Sequence, residues 1–185
     1  MTRRQRALAR ELSEINRRLR LHADVAEVEP DLRITHLELA KRHLVSGEVL
    51  RQYVLMDEHL NAVMASHFFG WDRPFPRLWR TKRFKAFNYY VLEKLYLLQK
   101  LDFVGYLYGV PKKVGRDLRA LNDLRNALAH SFFPENRRVK PSWKGQDIFS
   151  LTGLDSFLED MSDIADFFVD RFWTRRKRKG NPSFA

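Results

Sequence analysis

An arginine and a histidine five positions apart, at the end of a leucine-rich segment, have the residue types needed to cleave a phosphodiester bond. The segment reads GRDLRALNDLRNALAHSFF, and its end contains Arg125, Asn126 and His130. A guanidinium is permanently charged and can hold two phosphoryl oxygens at once. Imidazole has an unperturbed pKa near neutrality, so it can move a proton during the reaction. The asparagine could orient either group, while the arginine neutralises the charge that develops on phosphorus.

The spacing of apolar residues predicts that this segment is an amphipathic helix. Its apolar residues recur at intervals of three or four: Val114, Leu118, Leu121, Leu124 and Leu128. Such a stripe faces a core. At 100° per residue, Arg125 falls on the flank of the stripe, and Asn126 and His130 lie one turn apart on the polar face. One helix end therefore presents all three groups.

This helix end resembles the signature of the HEPN superfamily, in which an arginine, usually followed by a polar residue, precedes a histidine by four to six positions. Here the motif is RNALAH, with Asn126 as the polar residue, and the resemblance covers most of residues 33–173. It implies an endoribonuclease that acts as a toxin or defence effector. It also implies a homodimer with two Arg–His pairs in one cleft, and a cognate antitoxin as a protein partner. The 2′-hydroxyl of RNA would be the nucleophile, so no metal or other cofactor is expected.

The spacing alone is a weak signal, because it occurs twice in the chain. Residues 17–22 read RRLRLH, which also places a histidine five positions after an arginine, but no polar residue follows Arg17 in the way that Asn126 follows Arg125. The chain also departs from the family pattern at one position. Some family members have a tyrosine two positions beyond the histidine, which a partner nucleotidyltransferase modifies, and here that position is Phe132. The alternative interpretation of His130 is a residue that only caps or pins a helix end.

Family nucleases often add an acidic or polar residue from the first helix. The sequence LMDEHLNAVM offers Asp57 and Glu58, and we select Glu58 as the fourth catalytic residue. A solvated acid in an otherwise apolar helix is an equally good explanation of either side chain.

The net charge of +11 is concentrated in three short segments. Residues 1–20, 73–85 and 171–179 contain 19 of the 34 basic residues and 2 of the 23 acidic ones, so the remainder is acidic. Clustered bases are typical of a surface that binds a polyanion, because each neutralised phosphate releases condensed counterions. RNA is the expected partner, and an anionic membrane surface, an acidic protein or a merely solvated charge run are the alternatives.

Two of these segments supply the predicted RNA contacts. They are Arg73, Arg77, Trp79, Arg80, Lys82, Arg83, Arg175, Arg176 and Lys177. Aromatic residues alternate with bases near the first of them, and aromatic rings stack on unpaired nucleobases. They could equally anchor a long loop to the body of the protein.

Helical periodicity dominates the chain and predicts an all-α fold, an up-and-down helical bundle. Three regions are expected: a basic amphipathic N-terminal helix in 1–28, the HEPN-like bundle in 31–173 and a basic C-terminal tail in 174–185. Within the bundle, helices are predicted at 33–69, 83–108, 113–131 and 153–173, with a loop at 134–150. No second globular domain is predicted.

Several function classes are excluded at this stage. The chain has no cysteine, which rules out a disulfide framework and thiolate metal sites, and its other histidines lack metal-ligand spacing. Neither a secretory leader nor an uninterrupted apolar stretch is present, so a soluble, cytoplasmic protein without a membrane partner is expected. The alternative function is a non-catalytic RNA-binding or scaffolding helical domain. A third is a module whose basic arms bind DNA or an acidic protein.

Overall fold

The computed structural model describes residues 32–70, 75–129 and 140–174 and confirms the all-α bundle. The predicted N-terminal helix and basic tail, and His130 of the motif, lie outside these ranges. The elements are α1 Arg33–Phe69, α2 Phe75–Leu78, α3 Lys82–Tyr90, a 3₁₀ turn Leu92–Lys94, α4 Leu97–Tyr108, α5 Lys112–Ala129, β1 Ser142–Trp143, β2 Gln146–Asp147, α6 Leu151–Phe168 and a π-helical turn Val169–Thr174. Residues up to Leu44 and residues from Val45 form separate compact units, and the core and the candidate site lie in the second.

The leucine stripe of α5 faces the core, as its spacing predicts. All five of its apolar residues are buried, among side chains from α1, α4 and α6 that include Met56, Leu97, Phe157 and Phe168. Burying each large apolar side chain contributes roughly 1.5–3 kcal/mol relative to leaving it in water. This packing fixes the rotation of α5 about its axis, and with it the direction of the polar residues at its end.

The predicted helix at 83–108 is wrong as a single element, because the chain leaves the helix between Tyr90 and Leu97. Leu92 is 2% exposed and Leu97 is 0% exposed, and both belong to the same core. In a continuous helix, residues five positions apart would point about 140° away from each other. The extended backbone at Tyr96 brings both inward, and the side chain of Gln99 accepts a hydrogen bond from the backbone N–H of Tyr96 at 2.8 Å.

The region predicted as a loop contains a small β-hairpin in its described part. Its turn residues, Lys144 and Gly145, have φ angles of 49° and 82°, as a two-residue hairpin turn requires. The indole of Trp143 donates to the carboxylate of Asp160 on α6 at 2.8 Å, and the Lys144 ammonium pairs with the same carboxylate. Burial is the largest single effect and raises the pKa of Asp160, but these two hydrogen bonds and the charges of Lys144 and Lys113 together lower that pKa. The hairpin is thereby fixed to α6.

The start of α6 depends on a glycine that contacts the hairpin. Ser150 caps the helix by accepting a hydrogen bond from the N–H of Gly153 at 3.0 Å. A β-carbon at position 153 would overlap the backbone carbonyl of Asp147 and lie 3.1 Å from the Ser150 hydroxyl. Only glycine fits this approach without moving backbone.

None of the helices in the described ranges has the length and apolar character needed to cross a bilayer.

We expect Gly153→Ala to destabilise the protein by about 1–3 kcal/mol, the usual cost of overpacking. Gly115→Ala is the matched control, since Gly115 also lies within a helix but a β-carbon there meets nothing within 4 Å. That control should stabilise the protein by roughly 0.5–1 kcal/mol, because alanine reduces the entropy of the unfolded chain. Urea unfolding midpoints measure both, and shifts of the same sign would contradict this account of α6.

Candidate functional site

The guanidinium of Arg125 lies over an aromatic ring of α1. Its central carbon is 5.2 Å from the ring centroid of Tyr53, a cation–π geometry, and both side chains are half-buried. Such a contact is worth about 0.5–2 kcal/mol, depending on how far water is excluded. It ties the motif helix α5 to the long helix α1 and limits the directions in which the guanidinium can point.

Asn126, the next residue of the motif, holds one edge of the same guanidinium. Its side-chain Oδ1 accepts a hydrogen bond from Nη1 of Arg125 at 3.0 Å. Since this oxygen also fixes which way the carboxamide is turned, the amide nitrogen of Asn126 faces away from the arginine. The pair therefore presents N–H donors in two directions.

Arg125 has no carboxylate partner among residues 32–70, 75–129 and 140–174. Its Nε atom is buried there and has no hydrogen-bond acceptor. An unpaired buried donor costs about 1–3 kcal/mol, and more when the group is charged. No carboxylate in these ranges neutralises the charge of the guanidinium, so the site is electrostatically suited to bind an anion.

An ion pair behind the tyrosine holds α1 against α4. Asp57 lies one helical turn after Tyr53, and its two oxygens are 2.8 and 2.7 Å from the ammonium of Lys100. Lys100 is only 3% exposed, and the amide of Asn61 donates a further hydrogen bond to Asp57 at 3.1 Å. Because a buried ion pair needs such additional hydrogen bonds to offset its desolvation, the arrangement has little freedom to shift. Tyr53 is consequently held in place under Arg125.

The hydroxyl of Tyr53 remains protonated at neutral pH. Burial is the largest effect and raises the pKa of Tyr53, and the charge of Asp57 raises it further. The positive charge of Arg125 and a hydrogen bond from the backbone of Leu97 act in the opposite direction but do not outweigh burial. Tyr53 is thus a ring platform and a hydrogen-bonding group, and it is not suited to act as a base near pH 7.

The structure brings some of the predicted site residues together and leaves others apart. Arg125 and Asn126 are in direct contact, and His130 lies outside the described residues, so its approach to Arg125 stays a prediction. Glu58 is exposed and makes no contact with Arg125 among the described residues. It lines a groove between α1 and α3 instead. The neighbouring acid, Asp57, is the one that lies beside Tyr53.

Some of the predicted RNA-binding residues lie within the described ranges and others lie outside them. Arg73, Arg175, Arg176 and Lys177 lie outside the described residues. Arg77, Arg80 and Lys82 are exposed. The guanidinium of Arg83 lies 5.4 Å from the ring centroid of Phe69, and Trp79 lines the same groove as Glu58.

Sequence reasoning missed Tyr53, Asn61 and Lys100, although the sequence contains a signal for each. Tyr53, Asp57 and Asn61 recur at every fourth position of α1, which places three polar groups on one face. Lys100 interrupts the apolar run of α4 and so needs a buried counter-charge.

Comparisons of the chain with models of known families, with curated proteins and with solved structures find no match. The assignment of a function therefore depends on the residues and the geometry described above.

We expect Asp57→Asn to destabilise the protein by about 3 kcal/mol, because it leaves the Lys100 ammonium buried without a counter-charge. This is the low end of the range for such pairs, since the Asp57 side chain is 25% exposed. Asp102→Asn is the control: Asp102 pairs with Arg119 at 2.6 Å, but more than half of each side chain is exposed. It should cost less than about 1 kcal/mol. If chemical denaturation shows that both variants lose the same free energy of unfolding, the buried Lys100–Asp57 pair stabilises the protein no more than an exposed ion pair does.

His59 gives the fold a defined sensitivity to acid. Its ring stacks on Phe168 at 5.5 Å and meets Trp173 edge-on at 6.0 Å. Burial lowers the pKa of His59, and the charge of Glu58 offsets this only in part. Protonation of His59 therefore favours the unfolded chain, in which a histidine titrates near about 6.5. The contribution of neutral His59 to stability is therefore complete above the unfolded-state pKa. It is lost as the pH falls from that value toward the lower pKa of His59 in the folded protein.

We accordingly expect the melting temperature of the wild type to fall more steeply between pH 7 and 5 than that of His59→Gln. His43→Gln, which changes an exposed histidine, is the control and should keep the wild-type slope. Only the slopes are compared, since loss of the ring contacts lowers the stability of the His59 variant at every pH. Parallel curves for His59→Gln and the wild type would refute the assignment.

Proposed function

We propose that this protein is a metal-independent endoribonuclease of the HEPN type, which acts as a homodimer through a composite Arg125/His130 site. The observation that supports this most strongly is the state of Arg125: half-buried, oriented by Tyr53 and Asn126, and without a carboxylate partner in the described part of the chain. A cation held in this way suits an anionic substrate better than a structural ion pair.

The proposed reaction uses the RNA's own 2′-hydroxyl as the nucleophile. Its oxygen attacks the adjacent phosphorus, the bond from phosphorus to the 5′-oxygen breaks, and the products are a 2′,3′-cyclic phosphate and a 5′-hydroxyl. His130 would take the proton from the 2′-hydroxyl, and the second copy of His130 in the dimer would give a proton to the 5′-oxygen. Arg125 would stabilise the charge on the non-bridging oxygens.

Residues around the site have supporting roles in this proposal. Asn126 and Tyr53 limit the motion of the guanidinium, so less conformational entropy is lost when phosphate binds. The exposed bases Arg77, Arg80 and Lys82, together with the predicted contacts in 175–177, would guide RNA by counterion release. Glu58 is the acidic residue predicted from the first helix, but it makes no contact with Arg125 among the described residues. Asp57, one turn after Tyr53 and paired with Lys100, is the acid better placed to support that ring under Arg125.

A toxin or defence effector of this kind would act in the cytoplasm, where its RNA substrates are. Unrestrained cleavage would damage the host's own RNA, so a cognate antitoxin is the protein partner that this proposal requires. An acidic antitoxin surface could neutralise the same cationic groups that bind RNA.

The test is cleavage of a mixture of structured and unstructured RNAs by purified wild type, His130→Ala and His22→Ala, each with and without EDTA. His22 belongs to the second Arg–His copy of the sequence and is the matched control. We expect His130→Ala to lose at least about 100-fold in rate, the lower end for a general acid or base, with His22→Ala and EDTA having no effect. Product ends should be 2′,3′-cyclic phosphates. Equal cutting by wild type and His130→Ala, or none by either, defeats the proposal.

The Arg125–Tyr53 contact also suits a non-catalytic RNA-binding or scaffolding domain, in which the arginine only pins α5 to α1. In that case none of the proteins cleaves RNA, and Arg125→Ala lowers the melting temperature or dimerisation while RNA affinity survives.

A further inference from the structure

A groove between α1 and α3 lies apart from the Arg125 site and has no role in the proposed reaction. It encloses about 710 Å³, within the range of about 300–1,000 Å³ that is usual for small-molecule sites. Leu55 and Ala62 of α1 form one side, and Phe84 of α3 lines the other. Glu58, which the sequence had suggested for catalysis, opens into this groove.

We propose that this groove binds one unpaired nucleotide of RNA, with a preference for guanosine. The inference deepens the proposed function, since it takes RNA to be the ligand and names how one of its bases would be selected.

Two exposed aromatic rings border the groove and suit the stacking of a base. Trp79 is 55% exposed and Tyr89 is 53% exposed, although both are large apolar side chains that usually lose most of their exposed surface on folding. Stacking of one nucleobase on an aromatic side chain contributes about 1–3 kcal/mol. The ring of Tyr89 also meets Tyr90 edge-on at 4.9 Å and the ammonium of Lys94 at 5.2 Å, so only part of that ring is open to a base. The exposed surface of the two rings would supply affinity for any base, and another feature must supply selectivity.

Two carboxylates line the groove and can accept hydrogen bonds from a ligand. Glu58 forms no ion pair within the described ranges, and Glu93 accepts one hydrogen bond, from Asn88 at 2.6 Å. A matching ligand must bring donors. Guanine alone among the four bases has two adjacent donors, N1–H and the N2 amine, that one carboxylate can accept together.

The groove is lined by a lysine as well as by the two glutamates. The lysine is Lys85, whose side chain is exposed, and Arg80 and Lys82 are exposed nearby in the chain at the start of α3. These cations suit a phosphate, whereas the carboxylates of Glu58 and Glu93 would repel it. A nucleotide satisfies both demands when its base faces the acids and its phosphate faces the lysine.

The experiment follows the tryptophan indole N–H signals of the full-length protein by NMR during titration with 5′-GMP, 5′-UMP or inorganic phosphate. The signal of Trp79 is assigned by its loss in Trp79→Phe. We expect 5′-GMP to shift this signal saturably and to bind at least about fivefold more tightly than 5′-UMP, the lower end for a bidentate contact. Inorganic phosphate alone should leave it in place.

Two variants test the source of the preference. Glu58→Gln should reduce the affinity for 5′-GMP to that for 5′-UMP, because an amide cannot accept two hydrogen bonds in parallel. Glu159→Gln, an exposed glutamate of α6, should change neither affinity. The inference is overturned if no nucleotide shifts the Trp79 signal or if all three probes shift it equally. It is also overturned if the guanosine preference survives in Glu58→Gln.

The two proposals fail separately in this design. A mononucleotide contains no phosphodiester to cleave, so binding of 5′-GMP does not depend on a ribonuclease activity. If the protein cleaves RNA but no nucleotide shifts the Trp79 signal, the proposed function stands and the nucleotide site is refuted. If 5′-GMP binds at Trp79 but no RNA is cleaved, the nucleotide site stands and the proposed function is refuted.

Discussion

The site depends on the contact between the Arg125 guanidinium and the Tyr53 ring. The leucine stripe of α5 buries one face of that helix and so directs Arg125 toward α1, where the ring provides a surface that attracts a cation without neutralising it. A carboxylate at the same place would hold the arginine more strongly but would also compete with any incoming anion. The ring therefore positions the charge and leaves it available.

The three charged residues that are buried in the described part of the chain each have an oppositely charged neighbour, whereas the half-buried Arg125 has none there. Lys100 has Asp57, Asp160 has Lys144, and Asp117 lies 3.1 Å from Arg116, although the Oδ2 atom of Asp117 accepts no hydrogen bond. An unpaired charge away from water is expensive, so the lack of a carboxylate beside Arg125 distinguishes it from these three residues. The cost of leaving the Arg125 Nε without an acceptor is of the kind often found at functional sites, where stability and function compete.

Helix α1 contributes to both proposed sites through different faces. Tyr53 and Asp57 lie on the face that meets α4 and α5, and Leu55 and Glu58 lie on the face that lines the groove with α3. Because residues five positions apart on a helix are separated by about 140°, Tyr53 and Glu58 point to different sides of α1. One rigid element could thus hold a reacting phosphate and a selected base at a fixed separation on the same RNA.

The sequence by itself determined the all-α class, the length of α1 and the inward face of α5, because each follows from the local spacing of apolar residues along a helix. It also identified Arg125 and Asn126 as neighbours on one helix end. The break between Tyr90 and Leu97, the ring of Tyr53 under Arg125, and the pairing of Lys100 with Asp57 were decided only by the tertiary structure. Periodicity tells which residues share a face, but the partner of that face comes from distant parts of the chain. Burial of Leu92 and Leu97 in one core outweighed the local preference for a continuous helix.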